Sequence, residues 1–347
     1  MIAAPNTRDP REQTNSPMKG GASAVTAAHN QPKEATNEVI AQLIERLNAL
    51  KEGEHILAAL VECGQQAIEP LRRFLFDGTP SSVYQPRQRA VEALAALGAQ
   101  AILIEYLTRD KDIPDPIDRY GEEAVEGTAA RLVGRWRHNA VYDVLLQLLR
   151  KKPLPGLIDA IGEFQRTEPI PELIRCLGDS ICSTFAETAL RKLGYSAYRQ
   201  LLAAARTPEP SAEYESPSSL CRRRSVLRLL AELGVSAEDW PHLAPLRDDR
   251  DPEVVIRANR IALAVSQENE NIRAVDQMIG MLAHAPWFLR IEIESWLLDR
   301  FDITMEVIAQ EITVRRSATN LDDSMDETLR WLHTLKERLT RYHDQQF

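Results

Sequence analysis

Four stretches of the chain repeat one short pattern: HILAALVECG (55–64), AVEALAALGAQA (90–101), AETALRKLGYSA (186–197) and VLRLLAELGVSA (226–237). In each, a small or apolar pair is followed three positions later by an apolar residue and then by glycine. LIDAIGEFQ (157–165), RIALAVSQE (260–268) and IESWLLDRF (293–301) keep the apolar positions without the glycine. The second member of the pair marks a register at Leu60, Leu94, Leu132, Ile161, Leu190, Leu230, Leu263 and Leu297, with spacings of 34, 38, 29, 29, 40, 33 and 34 residues. Two helices of about 10 to 15 residues with their two turns consume about 30 to 45 residues, so the period is that of a stacked pair of helices. No two-residue alternation of the kind strands require competes with it.

The glycine stands where a helix ends in a left-handed residue, a conformation that only a residue without Cβ takes freely. After it comes a second apolar period: AIEPLRRFL (67–75), AILIEYL (101–107), AVYDVLLQLL (140–149), PIPELIRCL (169–177) and AYRQLLAAA (197–205). These read as the first helices of the following units, several opened by a proline suited to a first turn. The helical pattern begins at Asn37, with Val39, Ile40, Leu43, Ile44, Leu47 and Leu50 on one stripe. Residues 1–36 are rich in Pro, Ser, Thr, Asn, Gly and Ala without any period, and read as a disordered tail. Beyond Phe301 the repeat stops. Residues 303–316 can form one more helix, and Ser324 with Glu327 makes a capping box opening a last helix to about His343, with Leu329, Leu332, Leu335 and Leu339 on its apolar face.

Set in register, these units resemble the HEAT-repeat family in its short bacterial form (the bacterial, PBS-lyase-like HEAT repeats), whose pattern is D-x-x-x-V-R-x-x-A-x-x-A-L-x-x-L-G. Asp251 to Arg257 followed by Ala262-Leu263 matches its opening. Ala93-Leu94 to Leu97-Gly98 and Ala189-Leu190 to Leu193-Gly194 match its end. The resemblance covers roughly residues 38–301. It implies an all-α fold: a right-handed α-solenoid of about eight helical hairpins over 37–301, closed by a helical cap over 302–347. The sequence departs from the pattern at TAARLVGRWRHN, at the long connection DKDIPDPIDRYG (110–121) and at RTPEPSAEYESPSSL (206–220). Both connections put extra loop on the same edge, before a second helix.

Chemistry is harder to find. No phosphate loop, nucleophile elbow, HExxH or dinucleotide fingerprint occurs. Cys63, Cys176, Cys182 and Cys221 form no CxxC pair, so no zinc cage or dithiol motif is written, and no metal or cofactor is expected. None of the seven histidines precedes a glutamate, whereas HEAT-like hydroxylases use repeated His-Glu pairs for iron. Alkylated-DNA glycosylases of similar fold use a basic concave face with tryptophans. Here Lys+Arg 42 against Asp+Glu 51 leaves a net charge of −9, which makes nucleic acid a poor match. Similarity to the repeats of bilin lyases concerns repeat sequence and identifies no tetrapyrrole pocket. There is no apolar run of signal or membrane-span length, so a cytoplasmic, non-membrane protein is the expectation.

The resulting expectation is a non-catalytic scaffold that binds a protein partner on its concave surface. A HEAT-like enzyme or lyase-type factor, glycosylase-like or bilin-lyase-like, is the alternative. Residues at the starts of the second helices would line the rim: Tyr84 and Arg87, Arg119 and Tyr120, Phe185, Arg222 and Arg223, Arg257, Trp287 and Arg290. Arginine and aromatic side chains are enriched in binding hot spots. Arg222-Arg223-Arg224 span about 200 degrees of a helix, so one must face outward, and an acidic partner segment is the expected ligand. Two competing readings go with this. Arg87, Arg223 and Arg257 can pair internally with acids of neighbouring repeats, and Glu209, Glu213 and Glu215 can fold back on the triple arginine. Phe185 and Trp287 can be core.

Overall fold

The apolar periods and glycine breaks cut the chain into helices, and in the computed structural model the described residues are 37–49, 52–209, 214–265, 268–318 and 327–346. They form α1 (Asn37–Glu45) and α2 (Gly53–Glu62), α3 (Ile68–Asp77) and α4 (Gln85–Ala96), α5 (Gln100–Thr108) and α6 (Pro116–Val133), and α7 (Asn139–Lys151) and α8 (Pro155–Phe164). Then follow α9 (Ile170–Cys176) and α10 (Ser183–Leu193), α11 (Tyr198–Ala205) and α12 (Pro217–Leu233), α13 (Trp240–Leu243) and α14 (Pro252–Val265), and α15 (Glu268–Leu282) and α16 (Trp287–Leu298). The last pair is α17 (Phe301–Ala318) and α18 (Glu327–Gln346). The fold is all-helical, with no strand among the described residues. The proposed tail, residues 1–36, and the capping Ser324 lie outside the described residues.

All eight register marks fall on the second helix of a pair. Leu60, Leu94, Ile161, Leu190, Leu230, Leu263 and Leu297 are fully buried. From α2 to α14, each second helix packs on the next second helix in the chain. First helices also meet: α1 with α3, α5 with α7, α9 with α11, and α15 with α17. One apolar core therefore runs through successive pairs. At the C-terminal end, Leu329, Leu332, Leu335 and Leu339 of α18 are buried as their spacing predicts, and α18 lies against α16 and α17.

The third mark needs correction. Leu132 is half-buried, and the buried pair is Ala129-Ala130, four residues before Gly134 as Leu94 is before Gly98. Alanine occupies this position because α6 and α8 approach too closely for leucine. A Cβ on Gly156 would lie 1.9 Å from the Gly127 carbonyl oxygen, and one on Gly134 would lie 2.8 Å from the Ala160 Cβ. The close seam continues into α10, where a Cβ on Gly162 would lie 2.8 Å from that of Ala189.

Four residues after the mark, Gly64, Gly98, Gly194 and Gly234 all have positive φ, between 55° and 83°. Gln165 takes the same place with φ 53°. Gly134 does not, having φ −59°, so its glycine serves the close packing instead.

The two long connections are shorter than expected. Asp115 accepts hydrogen bonds from the Ile117 and Asp118 amides (2.8 and 3.0 Å) and Pro116 follows it, so α6 starts at 116 rather than after 121. Ser216 caps α12 through the Ser219 amide at 3.1 Å, so that loop ends at 216.

Two glycine substitutions separate the two roles. Gly98→Ala meets no atom within 4 Å and is strained only by its φ of +74°, for about 1 to 2 kcal/mol. Gly156→Ala drives a methyl into a backbone carbonyl and is expected to lower the thermal unfolding midpoint of the full chain further, at or above the upper end of the ~1–3 kcal/mol range of overpacking.

Candidate functional site

Arginines near the starts of the second helices turn inward and are answered by carboxylates. Arg87 of α4 is buried and donates to Glu122 of α6, to the Leu75 carbonyl (2.9 Å) and to the Tyr106 hydroxyl (3.3 Å). Arg257 of α14 bridges to Glu292 of α16 and reaches Glu253 at 3.4 Å. Arg223 of α12 is 2% exposed and binds Glu215, Asp249 (2.6 Å) and the Ala205 carbonyl (3.0 Å). Beside it, Arg222 is buried against Glu209 and the Thr207 carbonyl (2.7 Å). Arg224, half-exposed, grips Asp251 and Glu253. The acidic groups answering the triple arginine thus belong to this chain: Glu209 and Glu215 from the preceding loop, and Asp249, Asp251 and Glu253 from the next unit. Arg222 and Arg223 present no exposed face to a partner.

Glu122 is the most enclosed of these carboxylates, 1% exposed, and it accepts from Arg87, Lys111 and the Tyr106 hydroxyl. Burial pushes its pKa up, but the hydrogen bonds from Lys111 and Tyr106 and the charges of Lys111 and Arg87 outweigh that and hold it below the ordinary carboxylate value.

What remains exposed forms a row. Among the described residues, nine of the fourteen exposed large apolar side chains lie within four residues of the start of a second helix. They are Val83 at α4, Ile117 and Tyr120 at α6, Ile181 and Phe185 at α10, Tyr214 at α12, and Trp287, Phe288 and Ile291 at α16. Trp287, 74% exposed, and Phe288 make an edge-to-face pair at 6.3 Å. Tyr120, Phe185 and Trp287 were legible from register, and none of them is core. Phe288, Ile291, Ile117 and Ile181 were missed, although Phe288 and Ile291 are out of step with the buried stripe of α16; Ile117 stands in the first turn of α6 and Ile181 just before α10. Tyr84 is half-buried. Arg119 is exposed, and so is Arg290, whose guanidinium closes on the Ala285 and Ala283 carbonyls (2.6 and 3.0 Å).

Two clefts open on this edge, each between the end of a first helix and the start of a second. One, of about 440 Å³, is apolar, with Ile256, Met281, Pro286, Phe288 and Leu289 in its walls. The other, of about 240 Å³, lies between α5, α6, α7 and α8 and is strongly charged. Neither suits a thiol nucleophile: Cys176 and Cys182 are buried elsewhere, and burial pushes their thiols up to about 11 and about 12. Among the described residues, no group of three or more His, Cys, Asp or Glu could hold a metal ion, and no helix is long and apolar enough to cross a membrane. No family model and no curated protein matches the chain.

Because its folded-state pKa is depressed, Glu122 contributes stability that is present above about pH 4.5 and is lost as pH falls through the folded value. Glu122→Gln leaves Arg87 without a carboxylate partner and Lys111 with Glu126 alone, and is expected to cost about 3 to 5 kcal/mol near neutrality. In thermal melts its deficit against the parent narrows as the buffer is taken from about pH 7 to about pH 4.

Proposed function

We propose that the chain is a non-catalytic scaffold, an α-solenoid of about eight HEAT-like helical hairpins over 37–301 with a helical cap over 302–347. In this reading it binds protein along the edge where its second helices begin, rather than through the arginine cluster. The observation that carries the proposal is the row of exposed aromatic and aliphatic side chains on successive second helices, culminating in Trp287, Phe288 and Ile291 beside the apolar cleft. Exposed apolar groups gathered in one patch mark interaction sites, whereas scattered ones do not. The packing of each second helix on its neighbours supports the array, because repeats that touch only adjacent repeats generate such continuous edges.

The occupant is an extended or helical segment of a partner protein with aromatic or aliphatic anchors and acidic flanks. The anchors match the apolar cleft. The acids match Arg119 and Lys151, exposed cations with no carboxylate within ion-pair distance among the described residues, in a chain of net charge −9. A cytoplasmic location belongs to the same proposal and agrees with the four cysteines being free.

A displayed peptide library selected on the full chain tests this. Enriched peptides should combine apolar anchors with acidic residues and bind less tightly as salt is raised. The double substitution Trp287→Ala with Phe288→Ala should cost about 2 kcal/mol or more, roughly 30-fold in Kd, with the thermal midpoint unchanged. Peptides indifferent to that variant would overturn the edge as the site. Base loss from alkylated duplex DNA, or visible absorbance on co-expression with a tetrapyrrole, would replace the scaffold by the enzymatic alternatives. Reversing Arg222, Arg223 and Arg224 to Glu tests folding instead, since it breaks their bridges to the chain's own acids.

A further inference from the structure

The cleft between α5, α6, α7 and α8 carries more positive charge than its walls neutralise. Its lining holds five cations against three carboxylates. In the interior the charges are matched. Lys111 bridges Glu122 and Glu126 (3.2 Å), and Lys152 reaches Glu123 (3.1 Å) and Glu126 (3.3 Å). With Arg87 on Glu122, three cations answer three carboxylates.

The surplus is therefore at the mouth. Arg109, following α5, donates to the Phe76 carbonyl at 2.9 Å but has no carboxylate partner. Arg119 on α6 and Lys151 in the last turn of α7 are exposed and, among the described residues, without an ion pair. Asp110 is the one acid among the lining residues at this level, so two positive charges are unanswered. Arginines outnumber lysines 34 to 8 in this chain, yet three of the eight lysines line this cleft.

We propose that the cleft binds a dianionic oxyanion, a phosphoryl group. Three cations from three separate elements line one cleft, a compact ammonium and two guanidiniums able to take oxygen pairs, and Arg109 keeps Nη2 beside the Nη1 that it gives to the Phe76 carbonyl. Leu148 and Leu157 in the walls limit hydration and strengthen the attraction. The volume of about 240 Å³ equals that of roughly eight waters, enough for a phosphoryl group and the first atoms of its carrier. The interior pairs need not open, because the ligand meets only cations that are unpaired. The proposal rests on the protein-binding reading only for the source of the anion. A phosphorylated side chain of a partner and a free phosphate present the same chemistry to the cleft.

Calorimetric titration of the full chain with inorganic phosphate, with a phosphoserine peptide and with its unphosphorylated form decides between these sources. Arg119→Glu with Lys151→Glu should weaken phosphate binding more than tenfold, and Arg119→Ala with Lys151→Ala should weaken it in the same direction. The charge-matched control Lys336→Glu with Arg341→Glu on α18 should leave it unchanged, as should Trp287→Ala with Phe288→Ala. A phosphopeptide that binds more tightly than phosphate identifies a modified protein segment as the source. Phosphate bound equally well with or without a peptide identifies a small ligand, so the site stands while the partner reading loses its support here. Absence of phosphate binding by the parent chain, or equal loss in the α18 control, overturns the site.

Discussion

A guanidinium held between two helices, away from water, has to be met by a carboxylate, or the fold carries an uncompensated charge. This requirement organises the array. Arg87 ties α4 to Glu122 of α6, Arg228 ties α12 to Glu187 of α10, Arg224 ties α12 to Asp251, just before α14, and to Glu253 within it, and Arg257 ties α14 to Glu292 of α16. The helix ends add further bridges, with Lys192 on Glu163, Arg191 on Glu232 at 2.6 Å and Arg338 on Glu294 at 2.7 Å. Such pairs add little net stability over well-packed apolar groups. Their geometry nevertheless admits one alignment of neighbouring helices, because a slip of one turn would strand both partners.

Where the backbones come closest, a different device is used. Gly127 against Gly156, Gly134 against Ala160 and Gly162 against Ala189 leave no room for long side chains between α6, α8 and α10. The bridge between α6 and the following unit is displaced to the edge, where Lys152 reaches Glu123 and Glu126 of α6 from the turn before α8. The charged cleft is a product of this displacement. Its lysines stand at the rim of the stack because small residues have closed its middle.

The helices and their left-handed breaks were legible because each is local, set by apolar spacing within a few turns and by glycine at the helix end. Leu132 misled because a leucine is the expected filler of a register position, and only the neighbouring helix reveals that Ala130 must fill it. Gln165 hides a left-handed break behind a residue that seldom adopts one. The arginine cluster reads as a binding surface when taken alone. Its partners Asp249 and Asp251 lie 26 and 27 residues away, and the sequence presents them as a separate acidic run that argues only about net charge. The expectation that an aromatic at helical spacing is core fails at Trp287, which sits two residues ahead of Leu289, about 200 degrees round the helix from the buried Leu289, Ile293 and Leu297 stripe.

The two sets of residues at the starts of the second helices are linked by the same constraint. On α12 and α14 the first half of the helix is occupied by arginines that must lie along it to reach the next unit. α6, α10 and α16 instead contribute the short acceptors Glu122, Glu187 and Glu292, which are met by side chains coming from their neighbours. On these three helices the acceptor lies behind the first turn and leaves that turn free of bridging side chains. Those are the helices that expose Ile117 and Tyr120, Ile181 and Phe185, and Trp287, Phe288 and Ile291. Arg290 fits the same division: no bridge to a next helix is required of it, and it folds back on the Ala283 and Ala285 carbonyls, leaving the aromatic pair beside it uncovered. The internal ladder thus consumes the arginines along α12 and α14, while on α6, α10 and α16 apolar groups remain outside. On α6, α10 and α16 the edge proposed for binding lies where the bridging requirement has already been met from the other side.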